Sequence, residues 1–66
     1  MSPEKMVMMA NQIAAFFDTQ AGDPAPRIAA HLRDYWEPRM RGQLVDFVRA
    51  GGEGLTPSAL AAARLL

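Results

Sequence analysis

Apolar residues recur along the chain at helical spacing in three long blocks and one short block, and a proline stands at the head of each. In the first block Met6, Val7, Met9, Ala10, Ile13, Ala14, Phe16 and Phe17 fill about half of a helix circumference, wider than contact with a single core requires. The opposite side carries Met8, Asn11, Gln12 and Ala15, and no formal charge falls between Met6 and Phe17. Ser2-Pro3-Glu4 supplies a capping hydroxyl, a proline for the first helical position and an acid for the positive end of the dipole. The pattern predicts a helix over 3–19, buried on more than one side, with one of those sides covered by another protein.

Gly22 suits the left-handed end of that helix, and Asp23-Pro24 the start of the next. A second helix over 24–36 places Ile28, Ala29, Leu32, Tyr35 and Trp36 on one face and Arg27, His31, Arg33 and Asp34 on the rest. The chain must then turn, because Pro38 disfavours helical geometry in Glu37 and opens a new helix itself. This corner, Asp34 to Arg41, holds the only Trp and the only Tyr, and the Trp36 ring sits among Glu37, Arg39 and Arg41. Either the fold or a partner has to cover that ring while the charges stay solvated or paired.

The third helix, over 38–50, stripes Met40, Leu44, Phe47 and Val48, and ends before Gly51-Gly52. Arg41 projects between Val45 and Val48. Two readings stay open for it: a local ion pair with Glu37 at the favourable acid-before-base spacing, or an anchor into an acidic site on a partner. Thr56-Pro57 starts a last helix over 57–65, with Leu55 and Leu60 at hydrophobic-staple spacing. So short a helix needs Leu60, Leu65 and Leu66 to pack on something. The expected architecture is all-α: a single small domain over 1–66, a bundle of three main helices plus a short C-terminal one.

Composition narrows the function. Seven basic and seven acidic residues cancel, whereas binding to phosphate backbones calls for a basic excess. With no cysteine and one histidine there are no disulfides, no thiolate metal sites and no imidazole cluster. His31 has no nucleophile or base to work with and reads as a helix-edge residue. Met6, Met8 and Met9 are soft thioethers of the kind that take copper(I), yet Met6 and Met9 share the Ile13 face and read as packing. Gly51-Gly52-Glu53-Gly54 lacks the following Lys-Ser or Lys-Thr of a phosphate loop. The apolar run from Met6 to Phe17 is broken by Asn11 and Gln12 and is too short to span a bilayer, which with no targeting signal points to the cytoplasm.

Two segments, Met9 to Phe17 and His31 to Arg41, resemble the delta subunit of the soluble NAD-dependent, molybdenum-containing formate dehydrogenases of bacteria. Gly51 to Pro57 also looks like that family's late loop and helix start. The Trp-acid-Pro-Arg-Met core is the specific part; the alanine-rich tail is not. The resemblance implies an accessory subunit without catalytic residues, serving assembly, maturation or stability of a complex. Its large subunit carries molybdenum bis-pyranopterin guanine dinucleotide and iron-sulfur clusters, and another subunit handles FMN and NAD. This chain itself is expected to bind no cofactor, metal, small-molecule substrate, nucleic acid or membrane, and its partner is expected to be the large subunit, with others of the complex in addition. The expected docking surface is the first helix with the corner: Met9, Asn11, Gln12, Ile13, Phe16, Phe17, Tyr35, Trp36, Pro38, Arg39, Met40 and Arg41, the two arginines acting as polar anchors. Competing readings are a small regulatory or DNA-associated helical module and a helical protein that buries its first helix against its own copy.

Overall fold

The computed structural model describes all 66 residues. Four helices follow one another: α1 (Pro3–Asp18), α2 (Pro24–Tyr35), α3 (Pro38–Arg49) and α4 (Pro57–Ala63). Every one begins on its proline, whose missing amide falls where a helix has no acceptor to offer. Ser2, Asp23 and Thr56 accept from backbone amides at the starts of α1, α2 and α4; Glu37, ahead of α3, makes no such bond. The first three helices end one residue earlier than the periodicity predicts, and α4 ends two residues earlier, its last residues forming a turn.

α2 and α4 are the centre of the bundle. They make the most extensive helix pair, and each touches both α1 and α3. The reason lies in the alanines. Ala59, Ala62 and Ala63 are the buried residues of α4, Ala25 and Ala29 accompany Ile28 and Leu32 in α2, and Ala10 and Ala14 accompany Met6 in α1. Methyl side chains let helix axes approach closely, and so the seven-residue α4 can lie against three neighbours. The alanine tail is therefore the middle of the core. Of the three leucines expected to hold this end of the chain, Leu66 packs against the core and Leu60 is half-buried, while Leu65 is exposed.

α1 buries one stripe, Met6, Ala10 and Ala14, and leaves Met8, Gln12, Ala15 and Phe16 in solvent. Burial on a second side, expected from its wide apolar arc, is thus not provided by the chain itself. α3 ends on Gly51 and Gly52, whose amides bond back to Val48 and Phe47 carbonyls at 3.0 Å each, the paired closure of a Schellman-type end. Gly52 is buried with φ of 64°, and a Cβ there would stand 2.7 Å from Leu60 Cδ1.

A close-packed alanine seam has no room for larger side chains. Ala62→Leu is expected to destabilise the fold by about 1–3 kcal/mol through overpacking, read as a lower denaturant midpoint by circular dichroism. The same change at exposed Ala61 should leave the midpoint nearly unaltered.

Candidate interaction surface

The corner between α2 and α3 is held from within. α2 terminates at Trp36, whose backbone is extended (φ −89°, ψ 138°), leaving the last carbonyls of the helix without intrahelical donors. Arg41, one turn into α3, fills that need: its Nη1 donates to the carbonyls of Arg33 at 2.9 Å and Trp36 at 2.6 Å. A guanidinium is also the charge that a helix C-terminus favours. Of the two readings open for Arg41, the ion pair with Glu37 does not form, because these carbonyls take the guanidinium instead. The only ion pair in the chain joins Arg49 and Asp46, both exposed, at 4.0 Å. Trp36 is 7% exposed and belongs to the core, so the fold itself covers the ring.

Asn11, on the side of α1 opposite the aromatic residues, is likewise engaged. Its Nδ2 donates to the Gly54 carbonyl at 2.9 Å, and its Oδ1 accepts from the Thr56 amide at 3.0 Å. One carboxamide thus fixes the loop before α4 and the first turn of α4 against α1. Ser58 Oγ donates to Asp18 Oδ2 at 2.9 Å, and Arg33 Nη2 to the Leu65 carbonyl at 2.6 Å, adding polar ties between α4 or the residues after it and the first two helices.

What remains open lies on the α1–α2 edge. Four rings form a continuous row there. Phe16 meets Phe17 edge-on at 5.2 Å between centroids, Phe17 meets His31 at 5.9 Å, and His31 lies tilted against Tyr35 at 4.6 Å. Phe16 is 60% exposed and Tyr35 75%. Between the helices Gln12, Ile13, Phe16, Phe17 and His31 line a shallow hollow of about 300 Å³ with no Lys, Arg, Asp or Glu in its lining. His31, expected to be a plain helix-edge residue, is half-buried and joins the two phenylalanines to the tyrosine. Its place in the row could have been read from its one-turn spacing to Tyr35.

The twelve residues singled out in the sequence therefore separate. Gln12, Ile13, Phe16, Phe17 and Tyr35 come together on this edge, and half-buried Met9 flanks them on α1. Asn11, Trp36 and Arg41 are used inside the chain. Pro38 and Arg39 are exposed at the start of α3, and Met40 packs against the core. No three His, Cys, Asp or Glu side chains gather as a metal ion would require, and no helix is long and apolar enough to cross a membrane.

Compared with protein families, residues 5–63 match the model of FdsD, the NADH-dependent formate dehydrogenase delta subunit, and the chain belongs to that family. No curated protein matches it.

The division between inner and outer residues has a direct consequence. Trp36→Ala is expected to lose about 3–5 kcal/mol of fold stability, as truncation of a buried aromatic does. Arg41→Met, which keeps the stem but frees two carbonyls, should lose about 1–2 kcal/mol. Denaturation of the isolated chain measures both; unchanged midpoints would mean that the corner is not internally braced.

Proposed function

We propose that this member of the NADH-dependent formate dehydrogenase delta-subunit family is a non-catalytic accessory subunit. In this reading it docks on another subunit of the enzyme, the large molybdenum-bearing one, and supports assembly or stability of the complex in the cytoplasm. The observation that carries the reading is the aromatic row, with Phe16 60% and Tyr35 75% exposed beside a hollow lined by no Lys, Arg, Asp or Glu. Uncovered aromatic rings beside a hollow are what protein interfaces use as anchors, since they exclude much water while losing few rotamers on binding. Family membership supplies the setting, because a delta subunit works beside other subunits.

The chemistry of the complex is assigned to those partners. Molybdenum bis-pyranopterin guanine dinucleotide, iron-sulfur clusters, FMN and NAD need thiolates, nucleotide-binding loops or convergent polar sites. A chain with no cysteine, a single histidine and no clustered ligands does not suit any of them. Its part is mechanical: α2 and α4 lock the bundle, Arg41 and Asn11 fix its corners, and the α1–α2 edge is presented as a preformed surface. Preformation favours docking, because little is left to be ordered on contact.

The test is retention in the complex. A chain carrying Phe16→Ala and Tyr35→Ala should keep its helical content and melting midpoint, yet co-purify with the other subunits at least about tenfold less, as loss of aromatic anchors does. Wild-type retention of this variant would reject the aromatic edge as the docking surface.

A further inference from the structure

The larger depression on the molecule lies away from the aromatic row. The start of α1 and the end of α3 are not packed face to face, and between them opens a cleft of about 430 Å³. Val7 and Phe47 give it an apolar lining beside Pro3 and Ala50, and Glu4 and Glu53 stand in its walls. Both glutamates are exposed, and neither is ion-paired with a lysine or arginine of this chain. No cation lines the cleft. Glu4 has a local role at the N-terminal end of α1. Glu53 has none: it sits in the turn between α3 and α4, outside every helix.

An apolar trough with carboxylates in its walls is complementary to a side chain that has an aliphatic stem and a cationic head. We propose that this cleft receives a lysine or arginine of another subunit of the formate dehydrogenase, its methylenes against Val7 and Phe47 and its charge against Glu4 and Glu53. This rests on the accessory-subunit reading and adds to it a second, charge-selective contact on a separate face. The aromatic edge would contribute contact area, and the cleft would select a cationic partner and fix orientation, as charge complementarity does at interfaces.

The test measures affinity of the purified chain for the other subunits of the enzyme. Glu4→Lys with Glu53→Lys is expected to weaken binding by about tenfold or more. Glu53→Lys alone, which disturbs no helix, should weaken it in the same direction. Glu4→Gln with Glu53→Gln should flatten the salt dependence of binding, and Lys5→Glu, outside the cleft lining, should not weaken it. Circular dichroism of each variant verifies the fold. Wild-type affinity in the folded Glu4→Lys/Glu53→Lys chain would overturn the proposal. If the Phe16→Ala/Tyr35→Ala chain nevertheless lost affinity, docking through the aromatic edge would stand without the cleft; if it too bound normally, both would fall.

Discussion

The packing of α2 on α4, two helices whose buried residues are largely alanines, is the constraint from which the rest of the structure follows. Small side chains at the seam bring the helices together, but they also keep the interior small. Among the largest side chains only Met6, Ile28, Leu32 and Leu44 are enclosed to the point of negligible exposure. A domain of this length has little interior in any case, and one built on methyl groups has less. α1 carries apolar residues around more of its circumference than this core can accept, so Phe16 and Met8 stay outside. The exposed rings are thus the counterpart of an alanine core, and both are written into the same chain.

Polar contacts then give the small bundle a single arrangement. Asn11 reaches across 43 and 45 positions of sequence to Gly54 and Thr56, and Arg33 reaches 32 positions to the carbonyl of Leu65. Each such bond adds only about 1 kcal/mol net, but each also removes alternatives for how α4 and its flanks lie on the first two helices. Arg41 does the same at the corner, setting the direction in which α3 leaves α2. No buried polar side-chain atom is left without a partner. The surface that remains is carried by a framework fixed elsewhere, and Ile13 and Phe17 tie it to the core.

Much of this was legible in the chain. Prolines at 3, 24, 38 and 57, with capping residues before three of them, fix four helix starts by local chemistry alone, and Gly51-Gly52 marks an end in the same way. Phe16, Phe17 and Tyr35 stand out in the sequence as large rings at helical spacing, whereas His31, which joins them into one row, does not. The role of Ala59, Ala62 and Ala63 was not legible either, since alanine is at home on either side of a helix and its periodicity carries little amplitude. Nor could Arg41 be read correctly. A nearby acid at helical spacing is visible in sequence, whereas the free carbonyls of a helix end come into being only once the chain has turned at Trp36. Asn11 looks outward in the sequence for a similar reason: its partners are backbone groups of a loop that folds back onto α1.

Two classes of aromatic residue share one small chain: Trp36, enclosed by the fold, and Phe16 with Tyr35, left for a partner to enclose. Hydroxyl-radical footprinting of the isolated chain and of the assembled formate dehydrogenase distinguishes them directly. That division predicts that Phe16 and Tyr35 label readily in the free chain and become protected in the complex, while Trp36 stays weakly labelled in both. Equal labelling of Phe16 and Tyr35 in the two states would contradict it.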